Sequence, residues 1–211
     1  VGMLAWPAIS LGWVVAIFQR GMVSARRIQE ILDVEQERRD TGETHPRLSG
    51  EIEVRNLSFS YNGEASALHD ISFSIQPGET LAVVGRTGSG KSTLLGLLTG
   101  SYPAPSGTIF YDGVDINDIP LSRLRSSIAY VPQETFLFSE TVAENIAFGK
   151  EGADMESIRQ AAALAAIDTE VSAYPGKYDT LLGERGITVS GGQRQRIAIA
   201  RAFISHAPIL F

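Results

Sequence analysis

The chain has no cysteine among its 211 residues, so disulfides and thiolate metal sites are excluded. Histidine is scarce as well, with three residues in all. His45, His69 and His206 are scattered without metal-ligand spacing and are expected to be surface or structural residues. Basic charge is in deficit: 18 Lys and Arg stand against 24 Asp and Glu, for a net charge of -6. A nucleic-acid-binding domain usually presents a basic face, so this balance counts against one. There is no long internal repeat and no low-complexity tract. What the chain does have is 44% hydrophobic residues, enough to bury a sizeable core. It starts at Val1 and stops at Phe211 inside an apolar run, and is expected to be a fragment of a longer protein.

Charge is missing altogether from Val1 to Gln19. A membrane-spanning helix needs about 20 predominantly apolar residues, and this run nearly supplies them. Pro7, Gly2 and Gly12 are tolerable in a membrane helix packed against neighbours. A signal sequence would have a basic start and a cleavage site, and neither is present. Residues 1–20 are therefore expected to be the end of a transmembrane helix. Arg20, Arg26 and Arg27 follow at once, which favours the cytoplasmic side. "SARRIQEILDVEQE" reads as an amphipathic helix with an Arg26–Glu30 pair. "RRDTGETHPRLSG" reads as a linker. Residues 21–46 are thus a connecting helix and linker, and a cytoplasmic domain spans 47–211.

"TLAVVGRTGSGKSTLLGLLTG" carries the strongest motif. Leu81–Val84 suits a buried strand, and Gly85 to Ser92 matches G-x-x-x-x-G-K-[ST]. A helical pattern follows and ends near Gly100. Glycine permits the dihedrals by which backbone N–H groups turn inward toward phosphate oxygens. The helix N-terminus favours an anion, Lys91 adds positive charge, and the Ser92 hydroxyl can ligate Mg2+. A phosphate loop alone is shared by GTPases, kinases, motors and transporters.

About a hundred residues later stands "SGGQR", Ser190 to Arg194. Alone it reads as a glycine turn with Ser190 as a helix N-cap. Following such a loop, it resembles the signature of the ATP-binding cassette (ABC) family. The resemblance covers about Leu48 to Phe211. It extends to "LSFSYNGEASALHDISFSIQPGETLAVVG", to the glutamine-loop-like "IAYVPQETFLFSETVAENI", and to "GERG", Gly183–Gly186, which resembles a segment of exporters.

The resemblance implies a phosphate-loop α/β cassette: a mixed sheet core, an antiparallel β portion, and a helical subdomain from about Glu134 to Ser205. It implies ATP and Mg2+ as cofactors. Tyr61, Gly85, Thr87, Gly88, Ser89, Gly90, Lys91, Ser92 and Thr93 would hold the chain's own nucleotide, with Tyr61 on the adenine. Gln133 would position water or join Ser92 on Mg2+. Ser190, Gly191, Gly192 and Gln193 would close on the nucleotide of a second cassette. Each assignment has a structural alternative: Tyr61 packing at a strand end, Gln133 as a surface residue after Pro132, Phe136 and Phe138 as core rather than contacts for the membrane domain.

By the same resemblance, "HAPILF" leads into a strand that in the family ends in an aspartate followed by a catalytic glutamate. Neither carboxylate is within the 211 residues, nor is the family's switch histidine. The expected intact protein is a membrane-bound ABC exporter half that works as a homo- or heterodimer and hydrolyses ATP. The present stretch is expected to hydrolyse ATP poorly by itself. Alternatives are a degenerate ATP-holding half of an asymmetric pair, or a soluble ABC ATPase acting on nucleic acid or ribosomes.

Overall fold

A computed structural model of the chain describes residues 3, 5–34, 48–61, 66–183 and 189–211. The expected linker around Gly42 and Pro46, and most of Gly183–Gly186, lie outside the described residues. The chain divides into two units, Val1–Arg39 and Asp40–Phe211.

The first unit is one helix, α1 (Ala5–Leu32). It runs unbroken across the expected boundary at residues 20 and 21. Pro7 lies in its first turn, where the missing N–H has no intrahelical acceptor to lose. Arg26 and Glu30 do meet, at 3.8 Å, on the exposed surface. Trp6, Trp13, Val14, Phe18 and Met22 are all exposed. No helix among the described residues is long and apolar enough to cross a membrane. The uncharged part of α1, Ala5 to Gln19, rises about 22 Å, against a hydrocarbon core of about 30 Å. It is therefore shorter than a whole span.

The second unit has two hydrophobic cores. One lies beneath a four-stranded sheet of order β2-β1-β3-β4. Its strands are β1 (Ile52–Ser60), β2 (Ser66–Ile75), β3 (Ile109–Tyr111) and β4 (Val114–Asp115), and every pairing is antiparallel. Ile52 faces Ile75 on one side and Tyr111 on the other. Asp112 and Gly113 join β3 to β4 with φ of 50° and 78°, the left-handed pair that a two-residue hairpin of this twist requires. Helix α2 (Lys91–Leu98) packs on this sheet through Leu94, Leu97 and Leu98. The buried Tyr111 hydroxyl donates to Leu98 O at 2.6 Å and ties the end of α2 to β3.

The other core is helical. It gathers Leu137, Val142 and Ile146, Ile158 and Ala162, Val171, and Ile197 and Ile204. These come from α4 (Val142–Ala147), α5 (Met155–Leu164), α6 (Asp168–Ser172), α7 (Gly191–Ile204) and the loops between. The helix starts are local: Thr141 with Glu144 forms a capping box, and Asp154 caps α5. Helix α3 (Leu121–Ser126) and a two-stranded parallel sheet of β5 (Ile128–Ala129) and β6 (Ile209–Leu210) join the first core through Leu124, Ile128 and Ile209.

The α/β cassette with an antiparallel portion and a helical subdomain is what the chain forms, its antiparallel and parallel ladders standing as separate sheets among the described residues. One expectation is corrected. Leu81–Val84 is not a buried strand: it has no sheet partner, and Leu81, Val83 and Val84 are 46%, 48% and 89% exposed. An apolar run becomes a buried strand only where neighbours offer a backbone ladder on its flanks. The two-stranded ladder of β5 and β6 does not extend to it.

Candidate nucleotide site

The loop Gly85–Gly90 leads directly into α2, with Gly90 as the N-cap. Gly88 and Gly90 have φ of 82° and 88°, the left-handed region that glycine enters without strain. Gly90 has a second constraint. A Cβ there would lie 2.7 Å from both Ala67 O and Leu68 Cδ2 of β2. A Cβ on Gly85 would lie 2.6 Å from Ser89 Oγ. The fold of this chain itself therefore demands glycine at Gly90, whereas a side chain at Gly85 would require Ser89 to turn away.

Lys91 folds back over the loop. Its Nζ donates to Gly85 O at 2.8 Å, to Arg86 O at 2.9 Å and to Ser89 Oγ at 3.4 Å. Thr87, Ser89 and Ser92 are exposed beside it. The first turn of α2 thus combines unpaired helical N–H groups, a lysine ammonium and exposed hydroxyls. That donor set suits a polyphosphate. A magnesium ion would find hard oxygen in the Ser92 hydroxyl.

Tyr61 is drawn to the same place. Its hydroxyl lies 2.9 Å from the hydroxyl of Thr93, which is buried. Its ring meets Phe59 and Tyr102 edge to face, at 5.1 and 5.4 Å between centroids. Tyr102 in turn packs its Cδ2–Cε2 edge on Gly96 of α2, where a Cβ would be 2.5 Å from the ring. The Tyr61 hydroxyl holds the Tyr102 phenol above its usual range. Tyr61 remains 37% exposed, an aromatic surface next to the phosphate loop. Tyr102 was not singled out from sequence; a tyrosine following the motif helix after a Gly-Ser pair was the available signal.

Gln133 is exposed after Pro132, and no hydrogen bond of its side chain joins it to the loop. The segment that follows is anchored instead by Asn145, which is fully buried. Its Oδ1 accepts from Phe138 N at 2.8 Å, and its Nδ2 donates to Phe138 O at 3.0 Å and Thr141 O at 3.0 Å. Arg201 of α7 completes the knot, with Nε to Asn145 O at 2.8 Å and Nη2 to Asn145 Oδ1 at 3.0 Å. Burial holds the Arg201 guanidinium below its ordinary pKa. Phe138 is half-buried between the Phe136 and Phe148 rings, whereas Phe136 and Phe148 are 54% and 67% exposed. These two line a groove of about 600 Å³ with Tyr130, Pro132 and Arg201.

Ser190 lies at the opposite end of the sequence, in the helical half. It caps α7 in a capping box with Gln193: Gln193 N donates to Ser190 Oγ at 3.2 Å, and Ser190 N donates to Gln193 Oε1 at 2.8 Å. The N-cap alternative is therefore met. No hydrogen bond links this segment to Gly85–Thr93. Gly191 and Gly192 are exposed, and a Cβ on either would find nothing nearer than 3.8 and 3.7 Å, the tips of Arg194 and Arg196. His69 is exposed on β2, and no group of three or more His, Asp or Glu side chains among the described residues could hold a metal.

Residues 68–211 match the family described as ABC transporter. The chain belongs to the ABC transporter family. Within it, the chain is similar to an uncharacterized ABC transporter ATP-binding protein, YfiB, of Bacillus subtilis, at 48% identity over 94% of this chain and 35% of that protein. It is 47% identical to an ATP-dependent lipid A-core flippase of Pseudomonas fluorescens, over 99% of this chain and 35% of the flippase. A solved bacterial Atm1-family ABC exporter with ATP bound superposes with a TM-score of 0.83 at 35% identity, covering 95% of this chain and 36% of that one. The chain thus spans about a third of the length of these relatives, and corresponds to an ABC exporter ATP-binding domain.

Proposed function

We propose that this ABC chain belongs to an exporter subunit that holds ATP on Gly85–Ser92 and presents Ser190–Gln193 to the ATP of a second cassette. The observation that carries this reading is the contrast between two sets of glycines. Gly90 is required by its φ and by the β2 backbone and Gly85 packs closely on Ser89, whereas a Cβ on Gly191 or Gly192 would meet only an arginine tip at van der Waals distance. Glycine is the poorer helix former by about 1 kcal/mol against alanine in a helix interior, so two at the start of α7 work against the helix. Their bare backbone is useful to a body that approaches from outside. N–H groups at a positive helix end, beside the Ser190 hydroxyl, suit the phosphates of a nucleotide held elsewhere.

The roles of the remaining residues follow. Tyr61 stacks on the adenine, and Lys91 offsets phosphate charge. Thr87, Gly88, Ser89 and Thr93 shape the loop around it. Mg2+ bound with ATP would take the Ser92 hydroxyl and the Gln133 amide oxygen, and would offset charge on the phosphates. The uncharged half of α1 is the end of a membrane helix, with Arg20, Arg26 and Arg27 on the cytoplasmic flank. The groove beside Phe136 and Phe148 receives a segment of the membrane domain. Paired cassettes that close on ATP and part after hydrolysis form the two-state element of an export cycle. The 211 residues alone are expected to bind ATP without appreciable turnover, and turnover well above that of Lys91→Ala would overturn this.

The test compares Lys91→Ala with Gly192→Val in the full-length protein. Lys91→Ala is expected to lose nucleotide binding. Gly192→Val is expected to keep binding but lose ATP-dependent pairing of cassettes, read by cross-linking. Normal pairing with Gly192→Val would overturn the reading.

A further inference from the structure

Glu170, on α6, receives two donors from the first turns of α7. Its Oε2 accepts from Gln193 Nε2 at 2.8 Å, and its Oε1 accepts from Arg196 Nη2. The Gln193 amide is thereby oriented. With its Nε2 end on Glu170, its Oε1 end faces Ser190 N, and its backbone N–H holds Ser190 Oγ. Within the same cluster, the Tyr174 hydroxyl and Arg196 Nε are buried without a hydrogen-bond partner, so the donors that meet on Glu170 are Gln193 Nε2 and Arg196 Nη2. Burial, and then the Glu170 charge, raise the Tyr174 phenol above its ordinary range.

A capping box needs only Ser190 and Gln193 and sets the start of α7 locally. It says nothing about where that start points relative to α6. The bonds across 23 and 26 residues of sequence do. We infer that Glu170 is a positioning residue for the Ser190–Gln193 segment, holding its hydroxyl and N–H groups in the orientation that a second cassette's nucleotide meets. This rests on the reading of that segment given above. Side chains that act on a ligand through one intermediary are effective when the supporting bonds fix a single rotamer, as a carboxylate does with two charge-assisted or amide donors.

The experiment uses the full-length protein with Glu170→Ala, Glu170→Gln and Gly192→Val. Binding of a fluorescent ATP analogue reports the chain's own loop, cross-linking reports ATP-dependent pairing, and thermal melting reports folding. Glu170→Ala is expected to leave analogue binding and Tm near wild type and raise the ATP concentration for pairing about fivefold, the loss of part-buried hydrogen bonds to a charged group. Glu170→Gln, which keeps one acceptor oxygen for Gln193, falls between. The inference is overturned if Glu170→Ala pairs at the wild-type ATP concentration. It is equally overturned if pairing, analogue binding and Tm decline together, which marks a purely structural residue. If Gly192→Val pairs normally, the reading of Ser190–Gln193 fails instead.

Discussion

The hydroxyls of Tyr61 and Thr93 lie 2.9 Å apart, joining the end of β1 to the first turn of α2. This bond brings an aromatic ring from outside the motif to the mouth of the phosphate loop. Replacing Tyr61 by Phe keeps the ring and removes the bond. Its expected effect is a stability loss of about 0.5–1.5 kcal/mol with nucleotide affinity nearly unchanged. Tyr61→Ala removes the stacking surface and should weaken ATP binding about tenfold or more. Isothermal titration of both variants checks this, and equal affinities for Phe and Ala would remove Tyr61 from the site.

Glycines that look alike in sequence should respond oppositely. Gly90→Ala meets a φ of 88° and a Cβ 2.7 Å from Ala67 O, and should destabilise the fold by about 1–3 kcal/mol. Gly191→Ala or Gly192→Ala meets only an arginine tip at van der Waals distance and should leave stability unchanged or raise it by up to about 1 kcal/mol. Urea unfolding of the three variants decides it.

Asn145 is the buried node between the segment after Gln133 and helices α4 and α7. Asn145→Leu strands the Arg201 Nη2 donor and the Phe138 N–H without their acceptor, and should cost about 2–4 kcal/mol. A denaturant midpoint near wild type would show that the knot contributes nothing.

Asp112 gives a pH dependence. Burial by itself would raise its pKa, but bonds from the Ser49 hydroxyl and from the Ser49, Gly50 and Glu51 N–H groups outweigh it and hold the pKa below the ordinary carboxylate value. A depressed folded-state pKa contributes stability above the unfolded value, lost as pH falls through the folded one. Asp112→Asn tolerates the φ of 50° there and should be less stable than wild type at pH 7. The difference should shrink as pH falls below the ordinary carboxylate range, about 4, toward the lower folded-state pKa. Thermal melting across pH 2 to 7 tests this, and a constant difference would contradict it.

Local chemistry was enough to read much of this protein. Gly85–Ser92 announces its loop, because positive-φ backbone and a lysine at that spacing have few other uses. Ser190 with Gln193 marks a helix start, because a capping box closes within one turn. Helix α5 likewise starts by local chemistry, with Asp154 as its cap. Tertiary structure decided what depends on distant neighbours. Leu81–Val84 is apolar, yet a strand exists only where another backbone lies beside it. Gly90 and Gly192 differ in what stands 3 Å away, which no spacing records. Asn145 with Arg201, Tyr61 with Tyr102, and Glu170 with Gln193 are joined across tens of residues by the packing of separate elements. Hydrogen bonds and ring contacts act over a few ångströms, so only the folded chain determines which side chains share them.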